Sequence, residues 1–357
     1  MSGGLGNERG VALLITLLVV TLLTITVLEF TYSTEIDGHI TRNSLASVQA
    51  RALARSGVAL AEITLKVDAL AKNKNPPERA RVETLSDPWA QPFPPMPVGQ
   101  GFGTAGFTIV DESGRWNLNA FARRGAQGGQ DAQSVMRQQA FQGVLEASGL
   151  DPNLLFALID WVDPGDDSDR EEGAESPYYL GLQPPYVPRN GKLLSVEEVV
   201  FVKGFSELTW EQWTLFRSLV TVLPNENLKI NVNTAPELLL KGMFARLRVP
   251  PAGEDLVAFR EEKAIEQQKE LSDFLNGLGV EPLVASILGT RSEFFTIYAT
   301  GSAADVKRSV AVTEQMRPGI FPPRLTVLSW REDVLLPPVS LTSPEASDRM
   351  NSTSPQR

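Results

Sequence analysis

Residues 11–28 read VALLITLLVVTLLTITVL and contain no charged residue. Thirteen of these eighteen residues are Val, Leu or Ile, and four of the others are Thr. As an α-helix the stretch is roughly 27 Å long, close to the roughly 30 Å hydrocarbon core of a bilayer. Its apolar side chains favour insertion by about 4 to 8 kcal/mol in sum, and the threonine hydroxyls can bond back to the helix backbone. The stretch therefore predicts a membrane-spanning helix, which we place at residues 11–30.

The residues in front of this helix, Arg9 and Gly10, distinguish it from an ordinary secretory signal. Such a signal has an apolar core of about 7 to 15 residues followed by a small-residue cleavage site. Here the apolar run is longer, and the small residue with a basic neighbour precedes it. The arrangement resembles the class III signal of type IV pilins and pseudopilins. The resemblance implies that a prepilin peptidase removes residues 1–10 and that Val11 becomes an N-methylated N-terminus. An uncleaved signal anchor is the alternative.

Ile15, the fifth residue of the predicted mature chain, departs from the pattern of major pilins. That family usually carries Glu at this position, and the carboxylate pairs with the N-terminal amine of the subunit ahead. A lone carboxylate in lipid is costly, so the pairing guides docking. A subunit with Ile15 needs no such partner, which fits a position at the filament tip.

Composition narrows the classes of function open to the chain. Its 357 residues predict more than one domain. The net charge of −10 argues against nucleic-acid binding, whose affinity depends on cationic contacts to phosphate. There is no Cys, and any Ser-His-Asp triad or His-ligated metal site would have to use the single histidine, His39. We expect His39 to be a solvated helix residue, so these absences favour a protein that is not an enzyme.

Residues 31–120 are predicted to continue the helix and then to turn to β-structure. Apolar residues recur at helical spacing from Ile36 to Leu65, and Asn75-Pro76-Pro77 predicts the helix end. The following seven prolines, counted from Pro76 to residue 101, predict a loop. Residues 107–119 are predicted to form the first hairpin of a sheet.

A literal G-x-G-x-x-G stands at residues 101–106. In a dinucleotide-binding fold this motif follows a strand and opens a helix. Here it follows the Pro-rich segment and opens a strand, so we do not expect nucleotide binding.

Residues 121–290 are predicted to form a mainly helical domain inserted between strands of the sheet. Helical spacing marks three segments, which are Asp131 to Ala147, Asp151 to Trp161, and the charged run from Ala252 to Lys269. Three sequences typical of capping boxes predict further helix starts, at Ser195 to Glu198, Thr209 to Gln212, and Thr234 to Glu237.

Residues 291–332 are predicted to supply the last strands of the sheet. The β-like stretches are Phe294 to Thr300, Asp305 to Thr313, and Arg324 to Trp330. Turns are predicted at Gly301-Ser302 and at Arg317-Pro318-Gly319. The Ser- and Pro-rich residues 333–357 predict a disordered tail. The predicted fold class is α+β, with a pilin-like long N-terminal helix, a small antiparallel sheet, and a large inserted all-α domain.

The segment from Asp160 to Glu175 holds eight carboxylates within sixteen residues. Packed together they would repel one another, and a hard cation with about six to eight oxygen ligands would relieve the repulsion. Calcium tolerates irregular geometry, although the spacing is not that of an EF-hand. A solvated acidic loop is the alternative. The candidate calcium ligands are Asp160, Asp163, Asp166, Asp167, Asp169, Glu172 and Glu175.

Several stretches resemble the K-type minor pseudopilins of type II secretion, the general secretion pathway protein K family. They are the DESGRWNLN run at 111–119, the acidic segment with Tyr178-Tyr179, residues 184–198, and Lys229 to Pro236. In that family an Asp-Trp-x-Asp run precedes Gly-Ala-Glu and paired tyrosines in a calcium-binding region. The Asn-Thr-Ala-Pro turn at 233–236 is also similar to helix-hairpin-helix modules that bind DNA backbones. Because its neighbourhood is mixed in charge, we expect a structural role instead.

The resemblance implies a minor pseudopilin at the tip of the type II secretion pseudopilus, which starts its assembly and takes part in protein export across the outer membrane. The implied partners are the I and J minor pseudopilins, the prepilin peptidase and inner-membrane lipid, with the H type and the major G type as further candidates. The protein would span the inner membrane once, with a cytoplasmic N-terminus and a periplasmic C-terminal domain. The alternatives are a minor subunit of a type IV pilus-like filament and a membrane-anchored periplasmic enzyme that uses two carboxylates.

Overall fold

The computed structural model describes residues 8–72, 82–99, 101–122, 131–165, 172–317 and 322–334. Four predicted features lie wholly or mostly outside this set. They are the leader, the helix end at Asn75-Pro76-Pro77, the turn at Arg317-Pro318-Gly319, and the tail.

The chain first forms the long N-terminal helix and two strands of the sheet, then the helical domain, and then the remaining three strands of the sheet. The helices of the described residues are α1 (Glu8–Lys72), α2 (Ala132–Ala147), α3 (Leu154–Val162), α4 (Ser176–Leu180), α5 (Trp210–Leu219), α6 (Glu237–Arg246), α7 (Pro250–Glu262), α8 (Gln268–Gly277) and α9 (Pro282–Ala285). The strands are β1 (Phe93–Pro97), β2 (Thr104–Asp111), β3 (Trp116–Asn117), β4 (Val220–Thr221), β5 (Ile230–Asn231), β6 (Leu288–Gly289), β7 (Phe294–Ala303), β8 (Val306–Met316) and β9 (Leu325–Glu332).

Helix α1 is one continuous helix of 65 residues, as the sequence predicts. Its threonines bond back to the preceding turn, with Thr21 Oγ1 donating to the Leu17 carbonyl at 2.7 Å and Thr24 Oγ1 to the Val20 carbonyl at 2.7 Å. These bonds satisfy the threonine hydroxyl donors within the helix itself. His39 is exposed on this helix.

Five strands form one antiparallel sheet in the order β1-β2-β7-β8-β9. The second half of α1 packs across one face of it, burying Ala54, Val58 and Leu65 against Ile109 and Ile297. The approach is close because glycines stand at the contact. A Cβ at Gly57 would lie 3.1 Å from the Ala299 Cβ, and one at Gly301 would collide with the backbone of Ala50.

The segment between β2 and β7 folds into a helical domain with its own core. Helices α2 and α6 pack closely, since a Cβ at Gly242 would lie 2.7 Å from the carbonyl oxygen of Gly143. The core also contains Trp116 and Leu118, which precede the predicted boundary at residue 121. Two short parallel strand pairs, β3 with β4 and β5 with β6, connect the domain internally.

The predicted hairpin over residues 107–119 is wrong. β2 pairs with β1, which lies inside the Pro-rich segment predicted as a loop. After β2 a short 3-10 helix, Glu112–Gly114, turns the chain away, and β3 pairs with β4 of the helical domain. The G-x-G-x-x-G run is the connection between β1 and β2 and the start of β2.

Other predicted boundaries also need correction. The charged run from Ala252 to Lys269 forms two helices, α7 and α8, because the chain breaks at Ile265, whose side chain is buried. Gly301-Ser302 lies within β7, and the turn follows at Ala304, which has a φ of 47°. The predicted strands in residues 291–332 are confirmed as β7, β8 and β9.

Candidate functional site

Residues 11–28 of α1 contain no charged residue and are all exposed. Their side chains include Val11, which is 49% exposed, and Ile15, which is 57% exposed. By length and composition α1 is able to cross a membrane. An apolar surface of this size in a monomer marks contact with lipid or with other proteins.

A second apolar surface continues along α1 beyond the membrane stretch, on the face away from the sheet. It consists of exposed residues three or four positions apart, with Ala52 and Ser56 between them, and we name it the outer stripe: Leu45, Val48, Leu60, Ile63 and Val67. Residues at this spacing lie on one side of a helix. α1 thus has two apolar faces, one covered by the sheet of this chain and one open.

The Asn-Val-Asn-Thr run that starts at Asn231 contacts the end of β2 through the buried carboxylate of Asp111. Asp111 Oδ2 accepts hydrogen bonds from Thr234 Oγ1 at 2.5 Å, from Ser292 Oγ at 2.5 Å and from Asn231 Nδ2 at 3.3 Å. Its Oδ1 accepts from the Ser113 N–H at 2.8 Å. Burial raises the pKa of Asp111, and the four donors oppose that shift. We name this group the junction node, because it joins the sheet to the helical domain.

The junction node explains why the predicted capping box at Thr234 to Glu237 is wrong. Thr234 donates to Asp111 instead of capping, and α6 begins after Pro236. Through the Thr234–Asp111 hydrogen bond, the Asn-Thr-Ala-Pro turn has a structural role, as we expect from its sequence. The contact between Asp111 and Thr234 could not be predicted from the sequence alone, because 123 positions separate the two residues.

Two asparagines of the RWNLN run fix loops of the helical domain. Asn117 Nδ2 donates to the carbonyl of Asn225 at 2.9 Å. Asn119 donates to the carbonyl of Leu223 at 2.8 Å and accepts from the N–H of Leu193 at 2.8 Å. The RWNLN run therefore forms part of the helical domain and does not form a strand of a hairpin with β2.

The acidic segment is partly described. Asp160 is buried on α3 and accepts the Ala174 N–H at 2.8 Å, which brings the start of α4 to the end of α3. Glu175 is buried beside Ala174, Asp163 is half-buried, and Glu172 is exposed. The remaining candidate ligands, Asp166, Asp167 and Asp169, lie outside the described residues. The Asp160–Ala174 hydrogen bond joins the two described sides of the acidic segment.

An aromatic cluster supports this segment. The Trp161 and Tyr179 rings are 5.1 Å apart, and Tyr179 and Tyr186 are 5.4 Å apart. Burial raises the pKa of Tyr179, whose hydroxyl accepts the Lys203 N–H at 3.2 Å. Lys203 Nζ in turn donates to the Gly173 carbonyl at 3.1 Å. The second end of the acidic segment is thereby fixed to the domain core.

Of the other predicted capping boxes, Thr209 to Gln212 is confirmed by both reciprocal hydrogen bonds. Ser195 to Glu198 is wrong, since Ser195 makes no cap bond there. Glu198 instead accepts from Trp161 Nε1 at 3.0 Å and pairs with Arg189. It therefore belongs to the surroundings of the acidic segment.

A second acidic group, which the sequence pattern does not predict, lies where α1 ends. Lys72 Nζ lies 2.8 Å from Asp68, 2.7 Å from Glu83 and 2.6 Å from Asp87. Burial raises the pKa of Glu83 to about 7, although Lys72 opposes the shift. Three carboxylates this close could hold a metal ion, but here the ammonium of Lys72 occupies the centre. The group fixes the end of α1 to the segment that leads into β1.

Comparison with known proteins identifies the family. The profile described as "Type II secretion system (T2SS), protein K" matches residues 114–225. Type II secretion system protein K of Pseudomonas aeruginosa is 30% identical over 311 residues, which cover 87% of this chain and 89% of that protein. The protein of the same name from Aeromonas hydrophila is 26% identical over 313 residues, covering 84% and 90%.

A solved structure shares the fold. It is the crystal structure of the GspK-GspI-GspJ complex from the enterotoxigenic Escherichia coli type 2 secretion system. One chain of that structure superposes with a TM-score of 0.64 at 19% identity, over 83% of this chain and 99% of that one. The likeness supports the pilin-like architecture with an inserted helical domain. On the identity to the Pseudomonas aeruginosa protein over nearly the full length of both chains, this protein belongs to the type II secretion system protein K family.

Proposed function

We propose that this protein is the minor pseudopilin at the tip of the type II secretion pseudopilus, where it starts assembly of the filament and takes part in protein export. The outer stripe of α1 carries the proposal. An apolar face that continues from the membrane stretch into the soluble part has no use in an isolated subunit, and it suits packing against the helices of other subunits. Ile15 removes the need for a subunit ahead.

The proposed partners are the I and J minor pseudopilins, because the related chain in the solved structure was crystallised with GspI and GspJ. The action is mechanical, through helix packing in the membrane followed by docking of the folded domains. Catalysis has no part in this role. The N-terminus would lie in the cytoplasm and the folded domains in the periplasm.

Processing follows from the same role. A prepilin peptidase would cut after Gly10, and Val11 would be N-methylated. Mass spectrometry of the protein purified from membranes tests this step and the assembly together. We expect a chain that starts at methylated Val11 and that co-purifies with the I and J subunits. A chain that keeps residues 1–10, or one that purifies without any companion, would contradict the proposal.

We further propose that the acidic segment binds Ca²⁺. The support is the buried position of Asp160 and Glu175 at the two ends of the segment, with the half-buried Asp163 between them in sequence. Carboxylate oxygens are the ligands that calcium prefers. Bound calcium would neutralise these carboxylates and fix the segment. Asp163, Glu172 and Glu175 would supply oxygens, together with Asp160 and with Asp166, Asp167 and Asp169.

The calcium proposal predicts a stability difference. Calcium should raise the melting temperature of the detergent-solubilised protein relative to chelator, and Asp163→Ala with Glu175→Ala should abolish that increase. Glu207→Ala, a change at an exposed carboxylate outside the segment, should preserve it. Equal melting temperatures with calcium and with chelator in the unmodified protein would rule the site out.

A further inference from the structure

A polar cleft of about 850 Å³ lies where the sheet meets the helical domain. Arg115 and Glu293 line it from the sheet side, and the loop from Asn225 to Lys229 and the start of α8 line it from the other. This volume is in the range of binding sites for small ligands and short segments, about 300 to 1,000 Å³.

The cleft carries more cations than anions. Five cationic side chains line it, namely Arg115, Arg137, Lys229, Lys269 and Arg291. Three carboxylates line it, those of Glu226, Glu266 and Glu293. This local excess of positive charge stands in a chain with a net charge of −10. A cleft with one dominant sign of charge concentrates ligands of the opposite sign.

Three of the cations are available to a ligand. Among the residues that the structure describes, Lys229, Lys269 and Arg291 form no ion pair. Two of the other charged residues of the lining are paired outside it, since Glu226 pairs with Lys192 at 2.8 Å and Arg115 pairs with Glu112 at 3.3 Å. An anion could therefore bind Lys229, Lys269 and Arg291 without breaking an existing ion pair.

Lys229 is held in position at the wall of the cleft. Its Nζ donates to the Ser286 carbonyl at 3.1 Å. Its aliphatic part lies against Gly289, where a Cβ would come within 2.9 Å of the Lys229 Cε. Burial lowers the pKa of this amine. A carboxylate bound beside Lys229 would favour its charged form.

Side-chain amides form much of the remaining wall. They include the amides of Gln133, Asn227 and Gln267. Amides can bind peptide N–H and C=O groups, while cations bind carboxylates. The lining thus suits a peptide backbone with acidic side chains better than it suits an apolar ligand.

We propose that this cleft binds an extended acidic peptide segment of another protein, whose carboxylates pair with Lys229, Lys269 and Arg291. The proposal goes beyond the assembly role and does not depend on it. An anionic glycan has similar charge, and the experiment below separates the two.

The experiment uses the full chain in detergent and a fluorescein-labelled hexaglutamate peptide in low-salt buffer, with binding followed by fluorescence anisotropy. We expect Lys229→Gln with Arg291→Gln to weaken binding about tenfold or more, and added salt to weaken it as well. Lys307→Gln, which removes an exposed cation on β8, is the control and should change binding less than about twofold. Lys269→Gln alone should cause a smaller loss than the double change.

Three results would overturn the proposal. They are equal binding by the double variant and the unmodified protein, equal binding of hexaglutamine, and displacement of hexaglutamate by an equal concentration of hexameric oligogalacturonate. Near-ultraviolet circular dichroism of the double variant confirms that its fold is intact. Co-purification with the I and J subunits is measured separately, so failure of the peptide site and failure of the assembly role give different results.

Discussion

At the residue scale, Asp111 provides a buried contact between the sheet and the helical domain. Replacing it with Ala removes an acceptor of the half-buried Thr234 and of the buried Ser292 and Asn231, although Asn231 still donates to the Glu83 carbonyl at 2.9 Å. We expect Asp111→Ala to lower the free energy of unfolding by about 3 kcal/mol. Asp151→Ala is the matched control, because Asp151 also accepts an N–H two residues ahead, at 2.9 Å, but is exposed. The free energies of unfolding are measured by chemical denaturation followed by tryptophan fluorescence. Similar losses for Asp111→Ala and Asp151→Ala would contradict a stabilising role of the junction node.

Glu314, on β8 beneath α1, predicts a pH dependence. Its carboxylate is buried, and burial first and Glu62 second raise its pKa from 4.5 to about 7, while Lys66 opposes the shift. The folded state therefore binds the proton more tightly than the unfolded state does. The contribution of Glu314 to stability is accordingly greatest below about pH 4.5 and is lost as the pH rises to about 7.

We expect Glu314→Gln to stabilise the protein at pH 8 by up to about 3 kcal/mol and to have little effect at pH 4. Melting curves across this pH range measure the difference. Glu254→Gln removes one exposed carboxylate on α7 and controls for the change in net charge. Parallel pH profiles for Glu314→Gln and the unmodified protein would show that burial does not perturb this carboxyl group.

At the element scale, the contact between α1 and the sheet depends on small residues. A Cβ at Gly301 would collide with the backbone of Ala50, which cannot move without moving the helix. We expect Gly301→Ala to destabilise the protein by about 3 kcal/mol. Gly38→Ala meets nothing within 4 Å and should instead stabilise α1 by up to about 1 kcal/mol. Equal effects of the two changes on the melting temperature would contradict the packing.

Elements with a strong periodic pattern could be predicted, and elements set by distant contacts could not. α1 and β7 have long apolar patterns that their own sequences contain. β1 was missed because Phe93-Pro94-Pro95-Met96-Pro97 lacks three backbone N–H groups, and only the edge of a sheet tolerates such a strand. The break between α7 and α8 was missed because Asn233 fixes it, exchanging hydrogen bonds with Ile265 at 3.0 and 2.9 Å.

The sites divide in the same way. The acidic segment could be found from composition, since its carboxylates are close in sequence. The junction node and the Lys72 group could not, because their members are brought together by the fold from separate segments. The polar cleft likewise draws its walls from both domains.

At the scale of the whole molecule, the central claim is that the outer stripe of α1 packs against other subunits. The chain has no Cys, so one introduced Cys gives a specific site for cross-linking. Ile63→Cys places it on the outer stripe, which is open in the monomer, and Glu254→Cys places it on the exposed surface of the helical domain as a control.

The most direct measurement is photo-cross-linking from these two positions in native membranes, with the adducts identified by mass spectrometry. We predict that a photoreactive probe attached to the cysteine at position 63 is cross-linked to an I or J pseudopilin and that the same probe at position 254 is not. Adducts from position 63 that contain only lipid or unrelated proteins, or none at all, would contradict the account.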